Sequence, residues 1–456
     1  MTEVPGAELL DVGRSVLERA GGLTGDIEVY VQHSQTLAVK VYQGEVESLV
    51  AGEPRGIGVR YVADGRAGYA YTGDFAPAAL DEVVAMAATN AAAADLDEYV
   101  SLPHAADVYP EVQGLWRPSL LSTAVERKIA LAVEAEKTAL GSPEIETVEE
   151  SAYVDSATRM AIVSSKGVEV YGEQTFCYVY LSAHARRGDD VQTGLGFVTG
   201  REPEELDPAS AGRDAALQAA RLLGARPCPT GKYTVVLDRE VAAAVFGVAV
   251  RALSAEAVQK GRSLFAGKVG ELVAAPSLSL VDHGLHPDGM ASASFDDEGV
   301  PRKVTPLIED GVLKGFLHDT YTAAREGGGA GSTGNAERGS YRGSPGVSAS
   351  NLMLDSGEGT LEELFARVGT GLYVVSITGL ASGANPVSGE FSVGARGLLI
   401  EGGALTSAVR EVTIASDLVS LLSNVGDRAG DARWIPFSGS VYTPSFAVTD
   451  VTVAGT

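Results

Sequence analysis

KYTVVLDREVAAAVFGVAV, running from Lys232 to Val250, decides the fold of the C-terminal half. Tyr233–Leu237 is a β-favouring run that predicts a strand. Asp238 then opens a helix, because an Asp oxygen accepts a bond from a free helical N–H. Val241, Ala244, Val245 and Val248, with the alanines between them, make that helix apolar nearly all round. Such a helix belongs in a core as a packing element.

Working downstream, the chain is mostly β. Val304–Glu309, Asp310-Gly311 and Val312–His318 predict a hairpin, since Asp-Gly supplies the positive φ angles of a two-residue turn. Ile400, Glu401-Gly402-Gly403 and Ala404 predict another. Gly327 to Gly346 is a Gly/Ser-rich loop, long enough to be either functional or mobile.

Upstream, two prolines and two glycines between Gly224 and Gly231 mark a boundary. Before it, a helix is predicted over Ala7–Ala20, followed by alternating strand patterns at Ile27–Val31 and Leu37–Val41 and a continuing meander of strands at Val46–Val50, Gly56–Val62 and Arg66–Tyr71. An Ala-rich helix spans Pro77–Ala94, and Asp95–Pro118 is an irregular connection. A helix over Thr123–Leu140 carries Glu126, Arg127, Lys128, Glu134, Glu136 and Lys137, which read as a solvated face. Strands follow at Ile145–Val154, Arg159–Ser164, Val168–Ala185 and Val191–Thr199, then a helix at Pro208–Leu223. The reading is α+β: an N-terminal mixed α/β domain (1–225), a linker (226–231) and a mainly β C-terminal domain (232–456) with a few packed helices. No fixed-period repeat is present.

Bulk properties narrow the function. The formal net charge of the 456 residues is −25, and no Lys/Arg cluster forms a basic face, so nucleic acid is not an expected partner. Cys177 and Cys228 could form one bridge at most, so this is not a disulfide scaffold. The acidic start has no apolar signal core, and no run approaches a membrane span of about 18 apolar residues. A soluble, cytoplasmic protein is expected.

The usual chemistries find little purchase. A zinc peptidase needs paired His on a helix with a Glu to activate water. Of the six His, only His283 and His286 make a His-x-x-His, and Pro287-Asp288-Gly289 after it reads as a loop. No Gly-x-Ser-x-Gly is present, and nothing near Cys177 or Cys228 would activate a thiolate. Gly329–Gly334 matches Gly-x-Gly-x-x-Gly without a preceding strand, and Gly261–Lys268 misses the Walker spacing. Asp296-Asp297-Glu298 before Gly299 reads as a solvated turn, with a hard-cation site as the minority alternative.

From Lys232 onward several segments resemble one family. They are Gly261–Glu271 (GRSLFAGKVGE), Phe295–Pro301 (FDDEGVP), Ile308–Gly315 (IEDGVLKG), Ser332–Ala336 (STGNA), Gly389–Ala395 (GEFSVGA) and Val451–Gly455 (VTVAG). Arg55–Arg60 (RGIGVR) extends the likeness more loosely to the N-terminal half. Together they resemble the TldD/TldE (PmbA) peptidases. In that family TldD-like chains bind a metal through a His-Glu-x-x-x-His helix and a later Cys, and TldE/PmbA-like chains lack these and pair with them. Here the corresponding helix, Arg239–Val250, has no His, and no Cys follows Cys228. The resemblance is therefore to the TldE/PmbA-like branch.

That resemblance implies a non-catalytic subunit of a heterodimeric zinc metallopeptidase that degrades unfolded peptides or matures modified ones. The isolated chain is expected to be inactive. No catalytic residue, metal ligand or cofactor is assigned here; zinc is expected in a TldD-like partner. Candidate substrate-side residues are Ser332, Asn335, Asn385, Phe391 and Ser392. Their bland alternative is turn-holding, which Gly389, Gly394 and Asn385 beside Pro386 also suit. Two rival functions stand beside this one. The first is a homodimeric binding or scaffold protein without peptidase activity, in keeping with the family's gyrase-modulator label. The second is an independent hydrolase built on His283, His286 and a carboxylate.

Overall fold

A computed structural model describes residues 5–436 and 439–456. The opening residues Met1–Val4, read above for a signal core, lie outside them. The first half runs α1 (Pro5–Arg19), β1 (Asp26–Tyr42), β2 (Glu45–Gly52), β3 (Arg55–Ala63), β4 (Arg66–Thr72), α2 (Pro77–Ala93), a single turn α3 (Ser119–Ser122) and α4 (Val125–Leu140). It continues with β5 (Ile145–Ser164), β6 (Glu169–Arg187), β7 (Asp190–Gly200) and α5 (Pro208–Ala220). Its strands make one seven-stranded antiparallel sheet, ordered β4-β3-β1-β5-β6-β7, with β2 on β1.

Strand patterns that look separate in the sequence are continuous here. Ile27–Val31 and Leu37–Val41 are both β1, and Ile145–Val154 and Arg159–Ser164 are both β5. The β1–β5 ladder explains this: it runs unbroken from Glu28↔Ser164 to Val41↔Ser151, so backbone pairing carries each strand through its polar interruption. Helices α1 and α2 cover part of the sheet, packing Val16, Leu80 and Ala87 with Val29, Val31 and Val59. Helices α4 and α5 cover the rest, packing Leu131, Ala135 and Ala215 with Val39 and Val179.

The expectation of a solvated charged face on α4 fails at two positions. Lys128 and Glu136 are buried. Lys128 Nζ donates to Asp155 Oδ2 at 2.5 Å, and Tyr153 Oη donates to the same oxygen at 2.8 Å. The Glu136 carboxylate accepts from the N–H groups of Gln43 and Gly44, both at 2.7 Å, and so closes the β1–β2 turn. Each buried charge is retained because it is paired.

The second half runs β8 (Gly231–Leu237), α6 (Arg239–Ala252), α7 (Ala255–Gln259), β9 (Leu280–His283), β10 (Val304–Glu309), β11 (Val312–Leu313), α8 (Thr320–Glu326), β12 (Ala336–Glu337), β13 (Gly346–Val347) and β14 (Asn351–Leu354). Then come α9 (Leu361–Val368), β15 (Gly371–Thr378), α10 (Leu380–Gly383), β16 (Glu390–Glu401), β17 (Ala404–Asp417), α11 (Leu418–Ser423), β18 (Val425–Arg428), β19 (Arg433–Ile435), β20 (Ser440–Thr443) and β21 (Phe446–Ala454). Two six-stranded sheets result, β17-β16-β15-β8-β21-β18 and β11-β10-β9-β14-β20-β19, besides the pair β12-β13. Helix α6 packs on β8 and β15 of one sheet and on β19 and β20 of the other.

The Asp310-Gly311 turn forms as expected, with φ of 51° and 78°. Its second arm stops at Leu313 rather than His318, because Leu317 N–H leaves the ladder for Leu253 O at 2.9 Å. Residues 226–231 are stitched down rather than loose. Arg226 N–H donates to Ala408 O, and Thr456 N–H donates to Cys228 O, each at 3.1 Å. Both cysteines are free and buried. Among the described residues no helix is long and apolar enough to cross a membrane.

Asp296-Asp297-Glu298 is not a solvated turn; it is the joint between the two halves. Asp296 and Glu298 are each 1% exposed. Arg60 of β3 donates to Glu298 Oε1 and to Glu28 Oε2 of β1, each at 2.7 Å. Arg338 pairs with the other Glu28 oxygen, donates through Nε to Asp297 O at 3.0 Å, and lies over the Tyr30 ring. Thr320 N–H donates to Glu298 Oε2 at 2.9 Å. The likeness noted at Arg55–Arg60 has a physical cause here. A Cβ on Gly56 would lie 2.2 Å from the Tyr341 ring, and one on Gly58 would lie 2.5 Å from Tyr341 O. Glycine is what lets the segment around Tyr341 lie flat on β3.

Two outcomes follow from this joint. Arg338→Ala removes one of the two guanidinium partners of buried Glu28 and should cost about 3–5 kcal/mol of stability, measured by denaturant unfolding. The Asp296 carboxyl, raised by burial and by Glu298 to about 7, accepts from three backbone N–H groups. A carboxyl raised above its unfolded value stabilises most at low pH, and that contribution is lost as pH climbs through about 7. The stability gap between wild type and Asp296→Asn should therefore widen from pH 8 to pH 6; a gap that does not change with pH would contradict this.

Candidate functional site

A cleft of about 700 Å³ opens beside α6. Asp238 caps this helix by accepting from Glu240 N–H at 3.0 Å. Val241, Val245, Phe246 and Ala249 are buried, with the Phe246 and Phe446 rings 5.6 Å apart. The expectation of a helix apolar and packed nearly all round needs correction on one side. Ala244, Gly247, Val248 and Arg251 line the cleft, about one helical turn apart. Opposite them stand Val347 to Ser350, which join β13 to β14, and Pro386-Val387 beyond α10.

The cleft-facing side of α6 does not suit a zinc ion. Zinc takes imidazole, thiolate or carboxylate ligands, and this face offers an alanine, a glycine, two valines and a guanidinium cation. Elsewhere, His283 ends β9 and His286 stands in the following turn, their rings 5.3 Å apart. Each Nδ1 accepts a backbone N–H, from Leu285 at 3.3 Å and from Asp288 at 3.2 Å. His286 also packs edge-on against Trp434. Burial and the neighbouring His286 lower the His283 pKa. Among the described residues no group of three or more His, Cys, Asp and Glu gathers as a metal site. The hydrolase alternative therefore gains no carboxylate partner.

The five candidate substrate-side residues do not converge on one spot. Asn335 is 1% exposed, and its amide donates to Asp282 Oδ2 at 2.7 Å and to Ser348 O at 3.0 Å. It braces the cleft wall from behind. Phe391 is buried among the residues of the main C-terminal core. Ser332 is half-buried and donates to His318 O at 3.1 Å. Asn385 is exposed and accepts from Val387 N–H at 2.8 Å, which shapes the Pro386-Val387 rim. Ser392 is exposed on β16. Of the turn-holding glycines, Gly389 has φ of 83°, whereas Gly394 lies within β16 beside Thr378.

A second cleft, about 460 Å³, lies where α5 meets the start of α6. Sequence reading passed over it. Burial and then Asp238 push the Glu240 carboxyl up to about 7, against the pull of Arg433 at 2.8 Å. Arg433 also reaches Asp214 of α5 at 3.4 Å. A charged helix start after a boundary was the available signal, but the partners are about 190 residues away.

Three family models match this chain. Residues 27–91 match PmbA/TldA metallopeptidase domain 1, residues 118–223 the central domain, and residues 230–455 the C-terminal domain. The chain belongs to the PmbA/TldD metallopeptidase family. It is 28% identical over 431 residues to the metalloprotease PmbA of Escherichia coli O157:H7, covering 90% of this chain and 89% of that one. It is 26% identical over 405 residues to a metalloprotease of Methanocaldococcus jannaschii, covering 88% of each. The solved structure of TldE from Thermococcus kodakarensis matches with a TM-score of 0.89 at 26% identity, over 98% of this chain and 99% of that one. A Thermotoga maritima structure, named in connection with modulation of a DNA gyrase, matches with a TM-score of 0.90 at 26% identity, over 97% and 99%.

Placement separates the candidates by experiment. Phe391→Ala should cost about 3–5 kcal/mol of stability. Asn335→Ala should cost about 1–3 kcal/mol by leaving buried Asp282 short of a donor. Ser392→Ala should change stability by less than about 0.5 kcal/mol. Thermal and denaturant melts of the three variants check the order.

Proposed function

We propose that this chain is the non-catalytic, TldE/PmbA-like subunit of a heterodimeric zinc metallopeptidase. A TldD-like chain supplies the zinc with its His, Glu and Cys ligands, and the pair acts on unfolded peptides or matures modified ones in the cytoplasm. The observation that carries this reading is the composition of the α6 face. The helix wall of the cleft, which a metal would need, presents Ala244, Gly247, Val248 and Arg251.

The cleft offers means of holding a peptide. Strand β13 pairs with a strand on one side only, and its Val347 stands on the cleft wall. An extended peptide can add to such an edge through backbone bonds, which tolerate many sequences. Ser332, Asn385 and Ser392 remain the accessible substrate-side candidates, with Asn335 bracing Ser348 of the cleft wall and Phe391 buried in the core. The rival reading is a homodimeric binding protein, which the gyrase-linked name of the Thermotoga maritima structure keeps in view.

Co-expression with a TldD-like chain should give a stable complex that co-elutes in size-exclusion chromatography. Metal analysis should find zinc in that complex and none bound stoichiometrically to this chain alone. Peptide cleavage should need both chains. A chain that forms only homodimers, or a TldD-like chain that cleaves equally well by itself, would overturn the proposal.

A further inference from the structure

We infer that the cleft beside α6 selects peptides bearing a carboxylate, and that Arg251 and Arg262 are the groups that hold it. The inference rests on the reading of that cleft as the peptide site. The chain has 60 acidic and 35 basic residues, so a surface arginine readily finds a carboxylate. Arg14, Arg19, Arg186, Arg213 and Arg367 all do so on the surface.

The cleft gathers two arginines that do not, as exposed Arg127 and Arg187 elsewhere on the surface do not. Its charged lining residues are Arg251 at the end of α6, Glu256 and Lys260 around α7, and Arg262 just beyond. Glu256 is taken up by Lys260 at 2.5 Å. Arg251 and Arg262 are exposed, and neither guanidinium has a hydrogen-bond or ion-pair partner among the described residues. Two uncommitted guanidinium groups in a concave site of an acidic protein form a local anion trap. Each presents a planar fork of donors that matches the two oxygens of a carboxylate. The apolar walls at Val347, Leu380 and Val387 would take the neighbouring side chains of the same peptide.

The carboxylate can come from an Asp or Glu side chain or from the peptide's own C-terminus. Four labelled, unstructured peptides separate these sources: one with a central Glu, its Gln analogue, and the C-terminally amidated form of each. Binding is read by fluorescence anisotropy on the full chain, alone and with its TldD-like partner. Loss of the responsible carboxylate should weaken binding about tenfold, and added salt should shrink that difference. Arg251→Ala and Arg262→Ala should each reduce the discrimination, and the double variant should abolish it. Arg251→Lys should keep part of it.

Equal binding of all four peptides overturns the inference, as does discrimination that survives in the double variant. Absence of any peptide binding overturns it too. Both arginines are exposed, so melts of the variants should match wild type. Complex formation with the TldD-like chain, measured on the same proteins, reports separately on the subunit reading.

Discussion

The buried ion pairs joining Glu28, Arg60, Glu298 and Arg338 are the constraint on which the rest of the molecule depends. Glu28 and Arg60 belong to adjacent strands of the first sheet, whereas Glu298 and Arg338 come from loops of the second half. Glu28, Glu298 and Arg338 have side chains at most 1% exposed. Removing such ions from water costs several kcal/mol each, and only close, well-aligned pairing offsets this. A docking angle off by a few ångströms would leave at least one charge stranded. The network therefore favours one arrangement of the halves more sharply than an apolar contact would. A second charged seam, Asp214–Arg433–Glu240, holds α5 to the start of α6. The cleft lies along α6, so its orientation relative to the first sheet is set by charges outside it.

This arrangement also explains which parts of the fold were legible in the sequence. Local signals were reliable where the interaction was local. Asp238 capping α6 and the Asp310-Gly311 turn both depend on neighbours within a few residues. The charges misread as solvated turned out to have distant partners. Glu298 meets Arg60 across 238 positions. Lys128 and Glu136 sit on a helix whose charge pattern resembles a solvated face, and their partners Asp155, Gln43 and Gly44 lie on other elements. Solvation is the sensible default for a charge with no visible partner. It fails where strands far apart in sequence bring the partner in.

The site was legible in a different sense. Motif likeness pointed to Ser332–Ala336 and Gly389–Ala395, and both segments matter to the fold. Yet of their most distinctive members, Asn335 works from behind the cleft wall and Phe391 is buried in the C-terminal core. A motif marks residues that a fold requires without telling buttress from contact. The wall itself was read as core because Ala244, Gly247 and Val248 are as apolar as the buried positions around them. Only packing shows that Ala244 and Gly247 meet open space instead of a neighbouring strand.

Charge supplies the remaining piece. A chain at −25 repels acidic molecules as a whole, but that field is screened beyond about 8–10 Å at physiological salt. Inside a cleft the nearest groups dominate, and here they are guanidinium groups without protein partners. Arg251 sits in the last turn of α6, where a cation also suits the negative end of the helix dipole, and it is free of packing constraints. A metal ion beside Arg251 would be repelled, whereas a carboxylate would be held. The same residue thus argues against cation binding on this wall and for an anionic guest in front of it.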